Sequence, residues 1–294
     1  MTADASEFKF YRYNPSIGAA VVFTILFIVA SGIHTYQVAL TRTWFLIPFV
    51  LGGYFEWIGY IGRAISGTES PDFTLNPYIL QTLLLLIAPT LYAASIYMEL
   101  GRIVLITDGE AYCWIRRQWL TKIFLLGDII SFIMQGAGGG IMASGSASAL
   151  TTGENIIIAG LVIQLLFFSL FVYTSIRFHL GMHRGPSPKV LHSQPPWEKH
   201  IYALYAGSLL IFVRCLFRLI EYAQGNDGYL VSHEVFLYIF DGVLMLLVMV
   251  VFAWVHPSEI NAVLKPGGRV IRRVFYTYSP VGARLPGDLV GAGY

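Results

Sequence analysis

The sequence predicts an all-α polytopic membrane protein, a bundle of seven transmembrane helices with its N-terminus outside and its C-terminus in the cytoplasm. Three observations carry that prediction. Only 12% of the 294 residues are charged while 56% are hydrophobic, against about a quarter charged in an ordinary soluble domain, so the chain cannot cover a water-facing surface. Seven separate apolar runs reach the roughly 20 residues needed to cross a hydrocarbon core. Lysines and arginines gather in alternate connections, the asymmetry that orients helices in a bilayer. An aromatic content of 15% adds the Tyr and Trp that favour membrane interfaces.

The first run, near residues 16–40, lacks the short apolar core and small-residue cleavage pattern of a signal peptide and is expected to stay as a helix. The second lies near 44–65, and the break at 66–77 contains Gly67, Pro71 and Pro77. The third, near 78–104, carries Pro89, which is expected to kink it. The fourth, near 118–142, ends in a small-xxx-small face, Gly136 and Gly140, suited to close packing or to local unwinding beside Gln135. A small, polar stretch at 144–153 separates it from the fifth run, near 155–180, and four prolines interrupt the chain between 181 and 196. The sixth and seventh runs lie near 199–223 and 233–256. The expected division is thus a short extracellular N-terminus, 1–15, a seven-helix membrane domain, 16–257, and a basic cytoplasmic tail, 258–294.

Orientation follows from the short connections. Those after the second, fourth and sixth runs contain no Lys or Arg; those after the third and fifth carry Arg116, Arg117, Arg184 and Lys189, and the tail adds Lys265, Arg269, Arg272, Arg273 and Arg284. Lys9 and Arg12 oppose this and are outweighed. Within the tail, Val270, Ile271, Val274 and Phe275 would share one helical stripe opposite the arginines, either a helix lying on an anionic leaflet or simply a basic tail. Cys113 falls in a connection and Cys215 in an apolar helix, so both are expected to be free thiols.

An ionisable side chain at mid-bilayer costs about 2.5–3.5 kcal/mol on insertion scales and must be paired, face a cavity or act. This chain has many. Glu56 and Arg63, Asp128 and Gln135, Arg214 and Glu221, and Glu234 and Asp241 each lie seven residues apart, two helical turns, so each pair shares a face. Arg218, Gln81 and Gln164 add to the set. Together these residues predict a polar interior opening outward, with Glu56, Asp128 and Asp241 nearest the middle. Three arginines against five carboxylates leave one or two carboxylates without a basic partner, and Asp128 has none on its own face. Such a group can hold a proton or receive a ligand's cation. The arginines can equally serve as helix-to-helix ties. Glu99 and Arg102 are expected to pair near the end of the third helix, and His34 to be a hydrogen-bonded packing residue with no second histidine at ligand spacing.

The chain has no phosphate-binding Gly-rich loop with its Lys, no His-Glu-x-x-His and no Gly-x-Ser-x-Gly. Neither an enzyme nor an ATP-driven pump is expected, and no cofactor, metal or nucleic acid.

In order along the chain stand Glu56-x-x-Gly59-Tyr60-x-x-Arg63; Gln81, Ala88-Pro89, Ala93-Ala94, Tyr97 and Arg102; Asp128-x-x-Ser131 and Gln135-x-x-Gly138-Gly139; Gly160-Leu161-x-x-Gln164; Arg214-x-x-x-Arg218-x-x-Glu221-x-x-x-Gly225; and Glu234, Tyr238, Asp241 and His256-Pro257. From about Tyr13 to Pro257 this pattern resembles the fungal RTA-like, or lipid-translocating exporter, family of seven-helix membrane proteins. The resemblance implies a handler of amphiphiles at the plasma membrane or another cell membrane. Members are linked to resistance to toxic amphiphiles such as aminocholesterol, to release of sphingoid long-chain bases and, in one branch, to porphyrin uptake. It transfers no catalytic residue.

The expected function is therefore a transporter or translocase of amphiphilic lipids, with Glu56, Arg63, Gln81, Asp128, Gln135, Gln164, Arg214, Arg218, Glu221, Glu234 and Asp241 lining the path. Its expected partners are membrane lipids or amphiphilic small molecules. The alternative is a seven-helix lipid sensor that signals through its cytoplasmic loops, although the third helix ends Glu-Leu-Gly-Arg and the seventh His256-Pro257, unlike a rhodopsin-like receptor. A zinc-dependent intramembrane hydrolase would need several buried histidines, and His34 alone lies well inside a predicted helix.

Overall fold

The computed structural model describes residues 11, 13–142, 144, 146–193, 195–225, 228–265, 268–272 and 274–278. Seven of its helices are long and apolar enough to cross a membrane. They are α1 (Ile17–Thr41), α2 (Ile47–Thr68, extended at its start by a 3-10 turn, Trp44–Leu46), α3 (Leu75–Thr107), α4 (Arg117–Met142), α5 (Ala147–Arg184), α7 (Trp197–Ala223) and the seventh span, Glu234–Trp254. A short α6 (Pro188–Ser193) bridges α5 and α7. The seventh span consists of α8 (Glu234–Leu237), a π-helical stretch (Tyr238–Val243) and α9 (Leu244–Trp254).

The seven helices fall where the apolar runs predicted them, but two overrun. α3 has 33 residues and α5 has 38, about 50 and 57 Å at 1.5 Å per residue, longer than the hydrocarbon layer alone. Hydropathy marks where a helix meets water, whereas caps mark where it ends. The stretch expected as a break at 144–153 is mostly helix, because the Ser146 hydroxyl accepts from Ala149 N and starts α5 at Ala147.

Short connections make successive spans antiparallel. Contacts between distant residues define two ends: Ser16, before α1, bonds Glu234, and Tyr11 bonds Gln81, marking an N-terminal face. At the opposite, C-terminal face, Gln37 near the end of α1 donates to Ala253 O near the end of the seventh span at 3.1 Å. α3 is central and packs on α2, α4, α7 and α10 (Ser258–Leu264). The interior is aromatic, with Phe27, Phe49, Tyr60, Tyr92, Tyr97, Phe124, Phe168, Phe171 and Phe252 essentially inaccessible, while Val22, Ile25 and Val29 of α1 face outward. Such an outer surface has no reason to be apolar except a lipid solvent. The protein is a multi-pass membrane protein.

Three local expectations are corrected. Gly136 and Gly140 meet nothing within 4 Å; the close approach of α4 to α5 runs through Gly138, where an added Cβ would lie 2.6 Å from Gly153 O. The tail stripe is not helical: β1 (Val270–Arg272) pairs antiparallel with β2 (Tyr276–Tyr278), Val270 opposite Tyr278. Val270 and Ile271 are both buried, since Ile271 N donates to Ser258 Oγ at 3.0 Å and Gln37 holds Val274 O at 3.1 Å. β-branched neighbours suit that strand better than a helix. Lys9, Arg12, Arg273 and Arg284 lie outside the described residues. Glu99 and Arg102 do not pair: Glu99 faces inward to His200, and Arg102 bonds Asn261 and stacks on Phe45. Cys113 and Cys215 are free thiols, and burial pushes the Cys113 thiol up to about 11.

Candidate functional site

The polar residues singled out in the spans are withdrawn from the surface and fall into linked groups. At the N-terminal face, Arg63 from late α2 is fully buried. Its Nη2 meets Glu234 Oε1 at 2.7 Å and donates to Tyr13 OH at 2.8 Å, while its Nε donates to Tyr238 OH at 3.0 Å. The carboxylate of Glu234 also accepts from Ser16 N, at 2.8 and 3.0 Å. Tyr11 donates to Gln81 Oε1 at 2.8 Å. Burial raises the phenol pKa of both Tyr11 and Tyr13, so both stay protonated. The segment before α1 thereby seals this face over Arg63 and Gln81.

One layer deeper, Arg214 of α7 pairs through Nε with Asp241 Oδ1 and donates from Nη2 to Leu85 O at 2.8 Å. That carbonyl is free because Pro89, four residues on, has no N–H to offer it. α3 runs on through Pro89 as one helix, and the acceptor that Pro89 leaves is taken by another helix. Asp241 sits in the π-helical stretch, whose altered spacing aims it at α7. Glu56 is fully buried, its two oxygens have no hydrogen-bond partner, and Asp241 and Arg214 are its charged neighbours. The shared face of Glu56 and Arg63 thus does not make them partners, since Arg63 goes to Glu234.

Arg218 pairs with Glu221 at 2.7 Å and reaches Tyr222 OH at 3.3 Å. Partners three and four residues along the same helix do not tie helices together, so the inter-helix role is taken by Arg63 and Arg214 instead. Asp128 accepts from Tyr97 OH at 2.9 Å through Oδ2, and its Oδ1 has no partner. Gln135 donates to Ser131 Oγ at 2.6 Å and to Gln164 Oε1 at 3.1 Å, joining α4 to α5. The eleven residues therefore form an occluded polar column in this conformation, with Gln81 at its N-terminal face and Asp128, Gln135 and Gln164 to one side.

At the C-terminal face the structure assembles groups that sequence spacing did not reveal. His200 Nδ1 lies 3.3 Å from Glu99 Oε1, and its Nε2 is 3.6 Å from Glu259, which Lys199 also contacts. Beyond the seventh span, burial drives His256 well below the ordinary imidazole value, helped by the charges of His34 and His200. Burial alone would raise Glu259, but His200 and Lys199 outweigh it and leave its carboxyl lowered. His34 bonds Met249 O at 2.9 Å and packs on Phe49, as expected of a packing histidine. Among the described residues, no group of three or more His, Cys, Asp and Glu is placed to hold a metal ion.

Seven membrane-spanning helices around a buried column of ion pairs define a polytopic membrane protein. The profile described as RTA1 like protein matches residues 49–263, and the chain belongs to that family. It is 37% identical to Protein RTM1 of Saccharomyces cerevisiae over 85% of this chain and 92% of the relative. It is 36% identical to Protoporphyrin uptake protein 1 of the same yeast, over 86% of this chain and 93% of the relative. Identity to the yeast Sphingoid long-chain base transporter RSB1 is 28%, over 83% of this chain and 72% of the relative. No solved structure matches the chain significantly.

Proposed function

We propose that the protein translocates amphiphilic lipids, of sphingoid-base, aminosterol or related toxic amphiphile type, across a cell membrane, most simply the plasma membrane. The observation that carries this reading is a pair of buried carboxylates without a basic partner of their own. Asp128 is held only by a phenol, and Glu56 shares a single arginine with Asp241. A cationic head group entering the column supplies the missing charge, and desolvated carboxylates reward it most. Relatives named for sphingoid bases and for protoporphyrin support an amphiphile as cargo. Substrate contact is assigned to Glu56, Arg63, Gln81, Asp128, Gln135, Gln164, Arg214, Arg218, Glu221, Glu234 and Asp241. The basic connections favour a cytoplasmic C-terminal face, and on that reading parting of Arg63 from Glu234 would open the column outward.

The test is leaflet exchange of a fluorescent sphingoid base in liposomes containing the purified protein, compared with Asp128→Asn at matched folding. Exchange above empty liposomes that falls in the variant is the expected result. Saturable binding without exchange would favour a lipid sensor; neither exchange nor binding would remove this class of cargo.

A further inference from the structure

A second feature lies at the C-terminal face, outside the polar column. A cavity of about 620 Å³ opens between the end of α1 and the chain leaving α10, and three cations line it: Arg42, Lys265 and Arg269. Its volume is in the range of small-molecule sites, about 300–1,000 Å³. Among the described residues no carboxylate lines it, and none of the three cations makes an ion pair. Three like charges held together without a counter-charge repel one another, an arrangement that an anion relieves.

Backbone geometry reinforces the point. Arg42 is the C-cap of α1 in the left-handed region, φ 55°, a position that ordinarily favours Gly or Asn. A side chain with a Cβ there costs conformational energy, and Arg42 lines the cavity from that position. On the same rim Trp44 is 57% exposed, and Ala39 and Leu40 complete the wall. An indole standing free beside apolar helix ends belongs at a membrane interface.

We propose that this cavity binds the phosphate-bearing head group of an anionic phospholipid from the adjoining leaflet. Arg42, Lys265 and Arg269 take the phosphate oxygens, and Trp44 rests among the upper acyl carbons. The guanidinium fork of Arg42 or Arg269 matches two phosphate oxygens at once. Asn261 connects the site to the bundle, because Arg102 of α3 donates to its Oδ1 at 3.3 Å. This inference is independent of the proposed cargo and of the polar column.

The experiment is native mass spectrometry of the full chain in mixed phosphatidylcholine and phosphatidic acid micelles, with retained lipid as the readout. Phosphatidic acid is expected to be enriched, and each of Arg42→Gln, Lys265→Gln and Arg269→Gln to lower its retention about five-fold. Arg116→Gln, an exposed cation elsewhere on the same face, is expected to change nothing. Equal loss in Arg116→Gln, or none in the three variants, would overturn the site. Displacement of the lipid by an equal concentration of inorganic phosphate would also overturn it, in favour of a soluble anion. Matched thermal midpoints certify folding of each single variant, so no triple substitution is required.

Discussion

Arg214 Nη2 donates at 2.8 Å to the carbonyl of Leu85, the acceptor that Pro89 leaves without a helical donor. In an isolated helix interior, replacing proline by alanine gains about 3 kcal/mol. Here the new N–H at position 89 competes for Leu85 O and strands one donor of a buried guanidinium. Pro89→Ala is expected to recover much less than that gain, whereas in an Arg214→Met background it recovers more. Thermal unfolding in detergent of the four proteins gives the coupling; additivity would break the link.

The Arg63–Glu234 pair is asymmetric. Arg63 side-chain exposure is 0% and that of Glu234 is 16%, so removing the carboxylate leaves the better-buried charge alone. Breaking such a pair costs about 3–5 kcal/mol. Glu234→Gln is expected to destabilise more than Arg63→Met, and also to loosen Ser16, detectable as faster proteolysis ahead of α1.

Gly138 tests the α4–α5 seam. A methyl there meets Gly153 O at 2.6 Å and Ile157 Cγ1 at 2.7 Å, so Gly138→Ala should lose about 1–3 kcal/mol by overpacking. Gly136→Ala and Gly140→Ala meet open space and should be neutral or mildly stabilising in the same unfolding assay.

Acid sensitivity should begin at the C-terminal face. His256 is lowered by burial and neighbouring histidines, and Glu259 is lowered by His200 and Lys199 against the effect of burial. A group whose folded pKa lies below its unfolded one contributes stability that is complete above the unfolded value and lost as pH falls towards the folded one. The loss starts near the ordinary histidine value of 6.5 and continues through the ordinary carboxylate value of 4.5. Melting temperature followed from neutral to acid pH should fall in the native chain and flatten in its upper part in His256→Gln. An unchanged slope would remove His256 from the account.

The fold was legible because lipid imposes one rule on every span, and twenty apolar residues state it openly. The column was half legible. Seven-residue spacing found its members, since buried charge is expensive enough to stand out, but spacing along one helix says nothing of which helix approaches. Glu56 and Arg63 share a face and still do not meet, Arg63 going to Glu234 and Glu56 left without a hydrogen bond, and Glu99 goes to His200 across to α7 instead of to Arg102. Tyr97 and Tyr13 were not singled out for hydrogen bonding because phenols are ordinary in an aromatic bundle. The Leu85 carbonyl was invisible as a side-chain pattern, although Pro89 marked it four residues away. Arg42 falls in the short break between the first two apolar runs and was not singled out.

The π-helical stretch Tyr238–Val243 stores one residue more than an α-helix uses over the same rise. Glu234 lies before that surplus and Met249 after it, so the two halves of the seventh span are phased differently around its axis. Migration of the surplus by one turn would rotate the intervening residues by about 100°, carrying Asp241 off Arg214 without breaking the helix. Because Tyr238 joins the same stretch to Arg63, the same step would cost Arg63 one hydrogen bond while Glu234 and Tyr13 keep theirs, so the deeper ion pair would loosen with the N-terminal face still closed.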